Sequence, residues 1–164
     1  MAGYRSRFVE RFGGVYENSR WVAERAAAAQ VDMDNLDLVA EVMARCVDTA
    51  SASRQLDLIR SHPELAGNAQ TGRGLSKNSV DEQASAGLHR CTTEQREQFR
   101  SLNHRYRKKF GFPFVTAVRG QSRVEILKAF ARRLENERVI EIDVALREIH
   151  KIARLRLRAM EGAR

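Results

Sequence analysis

"VIEIDVALREIHKIARLRLRAM", residues 139–160, decides the fold class. Ile142, Ala145, Leu146, Ile149, Ile152, Ala153 and Met160 recur at spacings of three and four, the period of one helix face. The stretch holds no proline or glycine, so nothing interrupts a backbone hydrogen-bond ladder. One residue breaks the pattern. Arg156 falls where the apolar stripe calls for a hydrophobe, whereas Lys151, Arg154 and Arg158 lie on other faces. Burying a guanidinium is costly unless it is paired, so Arg156 either reaches the helix edge or meets a carboxylate in a pocket.

The same period continues toward the N-terminus. "SRVEILKAFARRLEN" reads as a helix, and another starts at Thr92 or Thr93, carries Phe99, Leu102, Tyr106 and Phe110 on one side, and ends at Gly111. "SVDEQASAGL" and "ASRQLDLIRSH" are two more, the latter stopped near Pro63 because the residue before a proline disfavours helical geometry. Leu36, Val39, Val42, Met43, Cys46 and Val47 mark a further helix, capped by Asp34 or Asn35. "YRSRFVERFGGVYENS" and "RWVAERAAAAQ" give a first helix or pair, broken near Gly13-Gly14 or Asn18-Ser19. Residues 67–78, "GNAQTGRGLSKN", form the one clear loop. "FPFVTAV" is β-branched and aromatic, so about 112–118 is expected to be extended. The expectation is an all-α, single-domain helical bundle over 1–164 with that one short extended segment.

A length of 164 residues suits one domain, and 43% hydrophobic with 30% charged residues suits a folded core. No stretch approaches the roughly 20 apolar residues that span a bilayer. "MAGYRSRFVERF" is charged where a signal peptide needs an apolar run, and "EGAR" is not a peroxisomal address, so the cytoplasm is expected, with no membrane partner. Cys46 and Cys91 lack metal-like spacing, and no metal site is expected; Cys46 reads as a small buried hydrophobe. The net charge of +8 attracts nucleic acid, an acidic surface or a small anion. A basic helical nucleic-acid-binding module is the rival reading, since "RSLNHRYRKKF" mixes basic and aromatic residues. Against it, acids are interleaved with the basic residues along most helices, and aromatics are 7%.

Three further features do not fit a plain bundle. In "RSHPELAG", 60–67, Pro63 stiffens the exit after His62 and so fixes an imidazole able to exchange a proton near neutral pH. A histidine at a helix end that simply favours the dipole is the alternative. In "SVDEQ", 79–83, Ser79 and Glu82 stand at capping-box spacing, as do Thr92/Gln95 and Ser122/Glu125. A helix start beside a glycine-rich loop also offers N–H donors to an anion, and Gln83 adds an amide. In "KFGFPFVTAVRG", 109–120, extended backbone leaves N–H and C=O groups to be satisfied by a helix end or by a bound heterocycle.

Taken together, "WVAERA", "RSHPELAG", "LSKNSVDEQASAGL", "LNHRYRKKFGFPFVTAVRG" and "EIHKIARLRL" resemble, in order and separation, the 2-oxo-4-hydroxy-4-carboxy-5-ureidoimidazoline (OHCU) decarboxylases. The resemblance covers essentially the whole chain. It implies an all-α, cofactor-independent, commonly dimeric enzyme for the last step from urate to (S)-allantoin, acting on a small anionic ureidoimidazoline; on the charge pattern above, no nucleic acid is expected as partner. Carried over to this sequence, it makes His62, Glu82 and Arg156 catalytic and Pro63 a substrate-lining residue. Ser79, Val80, Asp81 and Gln83 match the segment that contacts substrate. Phe114, Val115, Thr116, Ala117 and Val118 match the extended strip along which the ring lies. Glu64 departs from the family's common aspartate, and the loop before Ser79 varies. Which of His62 and Glu82 protonates carbon stays open.

Overall fold

A computed structural model of the chain describes residues 3–67 and 76–163. Most of the expected loop at 67–78 lies outside these residues. Eight α-helices occur among them: α1 Tyr4–Phe12, α2 Trp21–Ala26, α3 Leu36–Asp48, α4 Ala52–Arg60, α5 Lys77–Ser85, α6 Thr93–Phe110, α7 Arg123–Arg133 and α8 Arg138–Glu161. No strand is present among the described residues, and 113–118 carries no regular structure, so the all-α reading with one extended segment is borne out. By internal packing the chain divides into two compact units, Met1–Ser61 with Ile149–Arg164, and His62–Glu148, and α8 contributes to each.

In the first unit, α2 packs on α1 and α3, and α3 packs on α4. Phe8, Phe12, Val22, Val39, Met43, Val47, Leu58 and Ile59 are fully buried there, as are Ile149, Ala153 and Leu157 from α8. Asn35 caps α3, its side-chain oxygen accepting from the Leu38 N–H at 3.1 Å. Val42 and Cys46 sit half-buried at the edge of the expected stripe, while Ala40 is buried. Burial still pushes the Cys46 thiol up, against the nearby Arg25 and Arg45 charges. On α8, Ile142 and Met160 are half-buried, and Leu157 extends the buried stripe instead.

Both expected breaks near the N-terminus occur. α1 stops at Gly13, and Asn18 takes a left-handed turn at φ 44°. The irregular segment between α1 and α2 nevertheless buries Val15, Tyr16, Glu17 and Ser19. Buried irregular backbone must find partners for its polar groups. Here Val15 N–H donates to Phe12 O at 3.1 Å and Ser19 N–H to Tyr16 O at 3.2 Å.

The second unit is organised around Tyr106 on α6, which packs against α7. Its ring meets Phe114 and Phe130 edge-on, with centroids 5.5 and 5.6 Å away, and Phe114 stacks on Phe130 at 3.9 Å. Aromatic pairs of these geometries add about 0.5–1.5 kcal/mol beyond the area they bury. Gly111 ends α6 at φ 78°, the left-handed position that glycine occupies without strain, and releases the chain into the extended segment.

Candidate active site

α4 is capped by Ser51 and ends at Arg60, two residues before His62. The next residue, Pro63, blocks continuation of the helix. His62 itself is 7% exposed, buried rather than presented to solvent. The turn that follows is held from several directions. Ala66 sits at φ 49°, a left-handed conformation that costs a residue with a Cβ about 1–2 kcal/mol. Its N–H donates to Gln83 Oε1 at 3.2 Å, and Gln83 Nε2 donates to the Glu64 carbonyl at 3.4 Å. Asn103 Nδ2 donates to the Leu65 carbonyl at 2.9 Å, and Arg107 Nε to the Glu64 carboxylate at 2.8 Å. Backbone strain held by surrounding contacts is a common property of functional turns.

The segment 79–83 requires one correction. Ser79 is not the cap of its helix. α5 begins at Lys77, and Ser76 is the cap, accepting from the Ser79 N–H at 3.1 Å. Ser79 therefore lies within the first turn and is 4% exposed. The physical reason is competition: Ser76 and Ser79 both carry a hydroxyl able to cap, and with Ser76 as the cap Ser79 falls at the third helical position, where it is buried. Glu82 and Gln83, one turn on, are half-buried, whereas Val80 and Asp81 are exposed. Helical geometry splits the five residues in this way, because positions three and four apart share a face. The other two capping boxes, Thr92/Gln95 and Ser122/Glu125, form as expected.

The strip Phe114–Val118 is buried except for half-buried Ala117. Its backbone finds side-chain partners. Arg133 Nη1 donates to Val115 O at 2.7 Å, Ala117 N–H donates to Glu148 Oε2 at 2.9 Å, and Gln121 Nε2 donates to Ala117 O at 2.6 Å. Thr116 Oγ1 also donates to Glu148, at 3.2 Å. The Phe114 ring is a core element, stacked on Phe130 and covered by the Arg133 guanidinium at 4.3 Å. Arg133 in turn pairs with Glu141, which also accepts from Tyr106 Oη and from Asn136 Nδ2. Glu141 is fully buried, so this network supplies the compensation that a buried carboxylate requires.

Arg156 belongs to the other unit, on α8. It is 6% exposed and does meet a carboxylate, that of Glu17, with Nη2 to Oε2 at 2.9 Å. Its Nη1 donates to the Val15 carbonyl at 3.2 Å. Sequence reasoning identified the anomaly on α8 but missed Glu17, because an acid in an irregular "VYENS" stretch carries no periodic signal. Among the described residues no group of three or more His, Cys, Asp or Glu is disposed to hold a metal ion. A groove of about 710 Å³ lies between α6 and α7, lined by Gln98, Leu102, Val124 and Leu127 among others, and none of the candidate residues lines it.

The geometry thus joins the turn after His62 to the helix bearing Glu82, and gives Arg156 a buried partner. Comparison with known proteins agrees in family. The OHCU decarboxylase family model matches residues 2–158. A 2-oxo-4-hydroxy-4-carboxy-5-ureidoimidazoline decarboxylase of Halalkalicoccus jeotgali is 42% identical over 93% of this chain and 84% of its own length. The uric acid degradation bifunctional protein PucL of Bacillus subtilis is 40% identical over 90% of this chain, a match covering 29% of that protein. Among solved structures, an (S)-allantoin synthase superposes with a TM-score of 0.75 at 29% identity, covering 94% of this chain and 49% of that one. A chain matched to one family model over nearly its full length, with these relatives, belongs to the OHCU decarboxylase family.

Proposed function

We propose that the protein removes CO2 from 2-oxo-4-hydroxy-4-carboxy-5-ureidoimidazoline to give (S)-allantoin, the closing step of urate degradation. It is a carboxy-lyase. The observation that carries the site assignment is the clasp made by Gln83, which follows Glu82 and holds the turn that begins at His62. The family match supports the substrate class.

The chemistry follows from the substrate. When the carbon–carboxylate bond breaks, CO2 leaves and the electron pair stays on the ring carbon, where it delocalises into the adjacent C=N or C=O system. The ring is its own electron sink, so pyridoxal or thiamine chemistry is not needed. The protein has three tasks: to hold the carboxylate out of the ring plane, to exclude water, and to deliver one proton to one face. Arg156 orients the anion. His62 and Glu82 form the acid/base pair, one moving the hydroxyl proton and the other protonating carbon. Ser79, Gln83, Pro63 and the backbone of Phe114–Val118 fix the ring and so the product's handedness. Val80 and Asp81 point outward and contribute through the helix they extend. Two further readings are a homodimer, which the family resemblance implies and sedimentation tests, and a cytoplasmic enzyme, which cell fractionation tests. No described helix is long and apolar enough to cross a membrane.

Freshly generated substrate tests the reading directly. The protein should yield optically active allantoin well ahead of the spontaneous, racemic decay. His62→Ala or Glu82→Ala should lower the rate by about 10²–10⁴-fold, the worth of one acid/base group, while the helical circular dichroism is kept. Unchanged turnover in His62→Ala removes the proton-transfer role.

A further inference from the structure

We infer that Glu17 is the positioning residue for Arg156, and that it sets the direction of the guanidinium while cancelling its charge. This inference rests on the function proposed above. Glu17 is 1% exposed and Arg156 6%, so neither charge is at a surface where water would relieve it. The carboxylate oxygen Oε2 lies 2.9 Å from Nη2, and Val15 O lies 3.2 Å from Nη1. Two successive side-chain nitrogens are therefore held by one short stretch of chain, Val15–Glu17, which fixes the plane of the guanidinium fork.

The same stretch is itself pinned. Tyr16 Oη lies 2.8 Å from His150 Nδ1, on the same helix α8 as Arg156, and His150 Nε2 lies 2.9 Å from Asp48. The Glu17 carbonyl accepts from Ser61 Oγ at 2.8 Å, a hydroxyl that also lies 2.6 Å from Leu58 O and shares its proton between them. Ser61 immediately precedes His62 in the chain. One residue thus reaches two of the proposed catalytic positions: Arg156 through its carboxylate and the neighbour of His62 through its carbonyl.

The electrostatic consequence is specific. A lone buried guanidinium would bind any small carboxylate strongly, in the ground state as much as in the transition state, and uniform binding does not accelerate the chemical step. Neutralised by Glu17, Arg156 keeps directional N–H donors but little net charge. It orients the substrate carboxylate without holding it against departure as neutral CO2.

Glu17→Gln tests this, since it keeps the shape and an acceptor oxygen while removing the charge. We expect kcat to fall by about 10²-fold, the cost of a small misplacement of a reacting group. KM should stay level or drop, because the uncompensated guanidinium now attracts the anion. In an Arg156→Lys background, which loses the fork, the same substitution should cost less than about threefold, because residues acting through one another are not additive. Should Glu17→Gln fail to fold by circular dichroism, Glu17→Asp keeps the charge but retracts the carboxylate, and it should lower kcat with KM little changed. Wild-type kcat and KM in a folded Glu17→Gln or Glu17→Asp protein would overturn the inference, as would an equal loss in both backgrounds. The function reading is judged separately in the same assay. Turnover in the wild type that is lost in His62→Ala, beside normal Glu17 variants, sinks only the role of Glu17, while a wild type without turnover sinks both.

Discussion

The phenol of Tyr106 is buried against the Glu141 carboxylate, and that of Tyr16 against the His150 ring. Burial is the leading cause that raises both phenols above the ordinary value; Glu141 adds to it at Tyr106 and Asp48 at Tyr16, while Arg133 and Arg154 oppose it. A raised folded value means that the native state holds its proton more tightly than the unfolded chain. The resulting stability is fully present below the unfolded phenol value of about 10 and is lost as pH rises through the folded one. We therefore expect no phenolate absorbance from these two residues at about pH 10 in the folded protein, and a joint appearance with unfolding at higher pH. Tyr106→Phe should cost about 1–3 kcal/mol near neutrality, because Glu141 loses a donor. Its stability should then decline less steeply above about pH 10, as read by urea unfolding across pH. Ordinary phenolate titration in the native state would contradict this packing. At this scale the sequence was informative only where a residue broke a pattern. Arg156 interrupts an apolar stripe and was visible; Glu17, its partner, interrupts nothing.

Among elements, the helix starts show how local grammar can be ambiguous. Thr92/Gln95 and Ser122/Glu125 obey the capping-box spacing and form it. Ser79/Glu82 has the same spacing, yet Ser76 takes the cap. A serine stands three residues before Ser79 and offers a second hydroxyl able to cap, and the start at Ser76, which leaves Ser79 buried in the first turn, is the one that forms. Ser76→Ala should consequently cost about 1 kcal/mol and fray the start of α5, measured as faster amide hydrogen exchange there. Ser79→Ala should leave those first amides protected. The reverse pattern would restore Ser79 as the cap. The extended segment was legible for a different reason: Phe112, Pro113 and the β-branched residues after them suit extended geometry, and Gly111 permits the sharp exit from α6.

For the whole molecule, the charge of +8 is the excess of 29 Lys and Arg over 21 Asp and Glu, and several of the basic residues are paired with acids. Arg100 binds Glu97, Arg147 binds Asp143, and Arg20 lies near Glu24, all at helical spacings. Such exposed pairs contribute little stability. They also interrupt the run of positive charge that a nucleic-acid-binding stripe would need. The remaining field is suited to gathering a small anion. We expect kcat/KM for the ureidoimidazoline to fall several-fold between low and high salt as that field is screened over about 8–10 Å, with kcat unchanged. A salt-independent kcat/KM would mean that the net charge has no part in substrate capture.

The sequence by itself determined the helices, their stops at Gly13, Pro63 and Gly111, and the one extended crossing, because these depend on periodicity and on residues with restricted or permissive backbones. It also marked His62, the segment around Glu82 and Arg156 as departures from bundle logic. Only the tertiary structure decided that Gln83 clasps the turn after His62, that Ser76 caps α5, and that Glu17 holds Arg156. Each of these is a choice among chemically equivalent partners, and that choice is made by which side chains the packed core leaves within hydrogen-bonding reach.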